Sequence, residues 1–204
     1  MNARIESGQI KVGGRHELGR DDDNLISEHP TAGIIALARH CDAAVVDDRF
    51  MNQHAHIDCG GSLAPLLSTM GLLDSLAAAC VISSDDLLEY RTRLRRAGYF
   101  FIPVNAAELE QCINTSAVVE GEVLESAELK AIRESVLRVR MSDWLQLPNE
   151  APWLDLTLKA FVTVLRDLWR DGVNIKHVIA RSNWLLNQVD LRGWAHSLKR
   201  ENAD

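Results

Sequence analysis

The spacing of apolar residues changes once along this chain, and that change sets what it can fold into. Up to about residue 115 they include short continuous runs, at residues 43–46 and 64–67, set among segments of helical spacing. Beyond that point Leu129, Ile132, Val136 and Val139 recur at helical intervals, as do Leu154, Leu158, Phe161, Leu165 and Leu168, and then Ile175, Val178, Ile179, Leu185, Leu186 and Val189. A short unbroken run suits a strand buried in a sheet, whereas a period of about 3.6 residues draws one apolar stripe along a helix. The expected fold is therefore α/β with a short parallel sheet over residues 1–115, followed by an all-α bundle over 116–204. All five tryptophans, Trp144, Trp153, Trp169, Trp184 and Trp194, fall in the second part, where they are expected to anchor the helices.

The order of elements follows from local signals. Gln9, Ile10, Lys11 and Val12 alternate as a short edge strand closed by Gly13-Gly14, and Asp21-Asp22-Asp23 marks a solvated loop. Ser27 caps a helix with Pro30 in its first turn and Ile34, Ile35, Leu37 and Ala38 on its apolar side. The run at 43–46 is expected to be a strand buried on both faces; the run at 64–67 leads through Ser68-Thr69 into a helix carrying Leu72, Leu73, Leu76 and Ala77. Ser83-Ser84-Asp85-Asp86 reads as a capping signature, and the helix it opens closes with Arg91, Arg93, Arg95 and Arg96 before Gly98, complementing the helix dipole at both ends. Residues 99–104 suit a further strand, and Asn105 a cap for a short helix with Leu109 and Ile113.

Composition narrows the function classes. A net charge of −7 argues against broad affinity for nucleic acid or anionic membranes, so any phosphate contact must be local. Cys41, Cys59, Cys80 and Cys112 form no Cys-x-x-Cys pair, which excludes a zinc ribbon and predicts buried free thiols. Gly13-Gly14 and Gly60-Gly61 fit neither the P-loop nor the dinucleotide fingerprint. The first residues lack the apolar core of a signal peptide, and no stretch approaches the roughly 18 apolar residues of a membrane span, so a soluble cytoplasmic protein is expected.

The candidate chemistry lies in Ala43-Ala44-Val45-Val46-Asp47-Asp48-Arg49-Phe50, an apolar run ending in two adjacent carboxylates. Ligands of α/β proteins bind beyond the carboxyl ends of strands, so acids at a strand tip can hold a metal ion or polarise water. The same pair also suits a solvated turn. His54 and His56 are expected in a loop beyond the strand.

The succession Glu28-His29-Pro30, an apolar helix, Asp42 to Phe50, and Pro65-Leu66-Leu67-Ser68-Thr69 resembles the C-terminal half of PIN-like domains, over roughly residues 5–80 and on to 113 if the next helix and strand belong. The resemblance implies a partial three-layer fold and a metal-dependent ribonuclease, often the toxin of a toxin–antitoxin pair, in which clustered carboxylates bind Mg²⁺ or Mn²⁺. It implies Asp48 as the strand-end acid, Asp47 as its neighbour and Glu28 as the acid from the preceding helix start. Arg49, Asn52 and His54 become candidates for contact with RNA or water. The family's first motif, an opening apolar strand ending in an acid, has no counterpart here, which suggests a fragment, a shortened module, or a sheet completed by a homo-oligomer or another protein chain. The alternative function is a non-catalytic interaction module, a PIN-like remnant with a helical adaptor.

Overall fold

The computed structural model describes residues 6–7, 30–59, 61–142, 145, 147–148, 150–171 and 174–189. The expectations for residues 9–12, Asp21-Asp22-Asp23, the Ser27-Glu28-His29 helix start, Trp144, Trp194 and any helix after Leu191 lie outside them. The fold is mixed α/β, with seven α-helices and two small sheets among the described residues. The chain divides into two compact units, Met1–Leu72 and Leu73–Asp204, so the change of apolar spacing near residue 115 lies inside the second.

In the first unit, helix α1 (Pro30–Ala38) leads into strand β1 (Ala44–Val45), a 3-10 turn (Met51–Gln53), and strands β2 (His56–Asp58) and β3 (Leu63–Leu67). The central strand is β3, parallel to β1 with Ala44 opposite Leu66, and antiparallel to β2 with Ile57 opposite Ala64. A sheet's side chains alternate between faces, and here one face is covered: Ala44, Ile57, Ala64 and Leu66 pack with Ala38 and Cys59, while Leu63 is 70% exposed. Val45 is 45% exposed, which corrects the expectation that β1 is buried on both faces. His56 belongs to a strand rather than to a loop, because the turn from β2 to β3 returns the chain at once: Asp58 accepts from the Gly61 N–H, and Gly61 has φ +106°, a conformation open to glycine. Helix α2 (Thr69–Ala78) follows β3 directly.

The second unit is helical: α3 (Ser84–Arg96), α4 (Ala106–Thr115), α5 (Ala127–Met141), α6 (Ala151–Asp171) and α7 (Ile175–Gln188). The start signals act as expected. Ser83 and Asp86 form a reciprocal capping box, the Asn105 side chain accepts from the Glu108 N–H, and Ser126 accepts from the Leu129 N–H. One core joins Leu109 and Ile113 of α4, Leu129, Ile132, Val136 and Val139 of α5, Trp153, Phe161 and Val164 of α6, and Trp184 and Leu185 of α7; Leu158 and Leu165 pack against it. Two tryptophans anchor this core through both ring and nitrogen: Trp153 donates to the Ile102 carbonyl and Trp184 to Glu125. Trp169, at 56% exposure, does not.

Two expectations fail here for one reason. Residues 99–104 join no ladder: Phe101 has φ +57°, which breaks the extended run, and side chains take the carbonyls that follow, Trp153 donating to Ile102 and Arg95 to Pro103, whose own nitrogen carries no hydrogen. Conversely a hairpin, β4 (Val118–Val119) and β5 (Glu122–Val123), stands where no strand was expected. Its turn residues Glu120 and Gly121 have φ of 53° and 83°, the left-handed pair that a two-residue hairpin loop requires. Neither case is governed by apolar spacing.

Candidate functional site

The carboxyl end of β1 carries Asp47 and Asp48, both exposed and both held by hydrogen bonds. Asp47 reaches across 22 residues to the start of α2: its Oδ1 accepts from the Thr69 N–H at 2.8 Å and its Oδ2 from the Thr69 hydroxyl at 2.6 Å. The reach is possible because β1 and β3 are parallel neighbours, the Val46 N–H donating to the Leu67 carbonyl at 2.8 Å, so the end of one strand lies beside the helix that follows the other. Asp48 acts locally. Its Oδ1 accepts from the N–H groups of Phe50 and Met51 at 3.0 and 2.8 Å, fixing the 3-10 turn, whose first backbone bond runs from the Asn52 N–H to the Asp48 carbonyl.

The other candidates extend from this edge without converging on it. Arg49 stacks its guanidinium 5.7 Å from the Phe50 ring, and its carbonyl accepts from the Gln53 side chain. Asn52 sits in the 3-10 turn and His54 is exposed just beyond it, capping that turn with its backbone N–H. Glu28 lies outside the described residues. Among the described residues no three His, Cys, Asp or Glu side chains gather as a metal-holding group.

The donor set can be tested against Mg²⁺ or Mn²⁺. These ions take oxygen ligands, and Mg²⁺ commonly keeps several waters while using one or two carboxylates plus substrate phosphate oxygens. Each carboxylate oxygen accepts about two hydrogen bonds, so Asp47 keeps spare lone pairs on both oxygens, and Asp48 has its whole Oδ2 without a hydrogen bond to a described residue. One such carboxylate suits an ion completed by waters, but the two acids are bonded to different segments, Asp47 to the start of α2 and Asp48 to the 3-10 turn. They supply too few oxygens for an all-protein cage.

Elsewhere many of the charged side chains pair with one another. Of the arginines near the end of α3, Arg93 pairs with Glu89, Arg91 with Asp74 at 3.1 Å, and Arg95 is fully buried against Glu108, whose second oxygen lies 3.7 Å from Arg91. Internal ion pairs therefore account for Arg91, Arg93 and Arg95, and the helix dipole for the position of the exposed Arg96. A cleft of about 290 Å³ beside α4, α6 and α7 is lined by Glu110, Asn114, Asp167, Asp171, His177 and Arg181, but Arg170 bonds Asp171 and approaches Asp167, and Arg181 bonds Asn114. Of the four free cysteines Cys59 and Cys112 are buried, Cys41 is half-buried and Cys80 exposed, so the expectation of buried thiols holds for two. Burial, aided by nearby Glu108, pushes the Cys112 thiol up to about 11, far from a nucleophilic thiolate.

Sequence reasoning found the acids but missed Thr69 as a partner of Asp47, since a contact spanning 22 residues leaves no local pattern. No family model, curated protein or solved structure matches the chain.

Proposed function

We propose that the first unit is a PIN-like module of the metal-dependent ribonuclease class, with Asp48 and Asp47 holding Mg²⁺ or Mn²⁺ and Glu28 the third acid implied by the resemblance. The observation that carries the reading is the position of two oriented carboxylates beyond the parallel pair β1 and β3, where α/β folds bind ligands. A divalent ion there would activate water and neutralise charge on the phosphodiester. Arg49, Asn52 and His54 line the chain just past the acids and are the first residues an RNA strand would meet. Titration of the purified protein with Mn²⁺ tests this: Asp48→Asn should weaken binding by about tenfold or more, on the scale known for perturbed metal sites, and Asp22→Asn should leave it unchanged. Equal loss from both, or no binding by the parent, removes the metal site.

The second reading is a non-catalytic interaction module. It is favoured by the structural employment of both acids and by the short, one-sided sheet, in which β1 pairs only with β3 among the described residues. An open strand edge pairs readily with a second copy or another chain. Light scattering after size exclusion, together with an RNase assay in Mn²⁺, separates the readings: a dimer or hetero-complex without cleavage supports the module, whereas cleavage abolished by Asp48→Asn supports the nuclease.

A further inference from the structure

We propose that the outer edge of α6 docks an amphipathic helix of another protein, one whose apolar stripe is flanked by carboxylates. Helix α6 buries Trp153, Phe161 and Val164 in the core of the second unit, yet a second apolar stripe runs beside that one. Leu158, Val162, Leu165 and Trp169 fall four, three and four residues apart, the a and d spacing of a seam between two helices. Seven residues make almost two full turns, so these four side chains share one narrow arc of the helix surface. Leu158 and Leu165 are half-buried against the core, while Val162 is 62% and Trp169 56% exposed. Apolar side chains scattered singly over a surface need no explanation, but a row of them that ends in an open tryptophan marks a contact face.

The charges along the stripe decide what it fits. On one side it meets Phe161 and Leu168 of the core, and no charge stands there. On the other, Lys159 and Arg166 lie one heptad apart and are both exposed. Lys159 has no ion-pair partner among the described residues, and Arg166 uses only its Nε, on the neighbouring Asp167 at 3.1 Å. The single acid on the stripe, Asp155, sits at its N-terminal end. A second copy of the chain is a poor occupant. Two α6 helices pairing antiparallel would set Lys159 and Arg166 against the same two cations, a like-charge contact that opposes association. In the parallel sense this basic edge would face Phe161 and Leu168 of the second copy, which are 1% and 7% exposed in their own core. A helix with Glu or Asp along its flank answers both cations at once, and Trp169 supplies the aromatic anchor on which such interfaces depend.

The test uses the full chain and two synthetic peptides of the length of α6, 21 residues, with Leu at every a and d position. One carries Glu at every e and g position and the other Lys, and like charges there keep each peptide from pairing with itself. Calorimetry should show the Glu peptide binding at least about tenfold more tightly than the Lys peptide. Trp169→Glu should weaken that binding by about tenfold or more. Reversing the flank with Lys159→Glu and Arg166→Glu together should transfer the preference to the Lys peptide, which a merely adhesive apolar surface would not do. All three positions are exposed, thermal melting checks that the variants fold as the parent does, and the two peptides on the parent alone already decide the main point. Equal affinity for both peptides, no binding of the Glu peptide, or an unchanged preference after charge reversal overturns the proposal. A parent dimer in light scattering that Trp169→Glu dissociates assigns the face to a second copy and overturns it as well. The metal-site reading concerns the other unit and stands or falls separately.

Discussion

The two units solve the burial problem with different materials. In the first, the buried cluster among the described residues is Ala38, Ala44, Ile57, Cys59, Ala64 and Leu66, three of them alanines, gathered on one face of a three-stranded sheet. In the second, aromatic and branched residues from four helices interlock, Phe161 lying parallel to Trp184 with 6.3 Å between ring centroids. Burial stabilises by roughly 25 cal/mol per Å² of apolar area, and an alanine offers little area. The second unit therefore carries most of the hydrophobic stabilisation, while the first relies on strand pairing and on side chains such as Asp47 and Asp48 that bond backbone. Among the described residues, the region that looks most like a site is the region with the thinner core.

Four measurements can break or sharpen this contrast. The largest effect is all-or-none: residues 73–204 expressed alone should melt cooperatively in denaturant, whereas residues 125–204 should not, because the shorter piece lacks Leu109, Cys112 and Ile113 of the shared core. A cooperative transition of the shorter piece would show that α5 to α7 suffice. Next, Phe161→Ala in the longer piece should cost about 3–5 kcal/mol, while Leu66→Ala in the full chain should cost about 2 kcal/mol, the low end of the range, because a sheet face lined by alanines can close over the gap. Equal costs would mean the first core is as tightly packed as the second. Removing the Ser126 cap by substitution with alanine should cost about 1 kcal/mol, again by denaturant melting.

The smallest effect is one of pH. Burial alone would raise the Glu125 carboxyl, but hydrogen bonds from Arg133 and Trp184 outweigh it and hold Glu125 below its ordinary value. A depressed carboxylate pKa stabilises the fold above the unfolded-state value, near 4.5, and that contribution disappears as pH falls through the lower folded-state value. Melting temperature should thus decline on acidification below about pH 4.5, and Glu125→Gln should decline less steeply over the same window. Parallel curves for the two proteins would separate Glu125 from the acid response.

What the sequence disclosed depended on how local the cause was. Ser83, Asn105 and Ser126 announce helix starts because a cap satisfies a donor two or three residues away. The long helices were legible from their stripes. Residues 99–104 misled because their aromatic and branched side chains report a preference for half-buried strand backbone, while Phe101 takes a left-handed φ of 57° that no such preference reveals. Strand β2 and the hairpin of β4 and β5 are only two or three residues long, too short for alternation to register, although Glu120-Gly121 between valines was the available clue. At the candidate site the acids were visible as a strand ending, but the pairing of Asp47 with Thr69 was not. It is created by the parallel register of β1 and β3, and register is a property of the folded sheet.

The buried pair of Arg95 and Glu108 constrains how this protein can change over generations. Arg95 is 1% and Glu108 4% exposed, and Arg95 also donates to the Pro103 carbonyl. Losing Glu108 strands the buried Arg95 at a cost of about 3–5 kcal/mol, a large part of a domain's stability, and losing Arg95 leaves Glu108 only Arg91 at 3.7 Å, whereas exchanging a buried pair for apolar residues of similar volume is often neutral or better. Each step taken singly leads through a valley that the double change avoids. Positions 95 and 108 are therefore expected to covary in descendants of this sequence, because the pair is harder to lose by single steps than by a joint one.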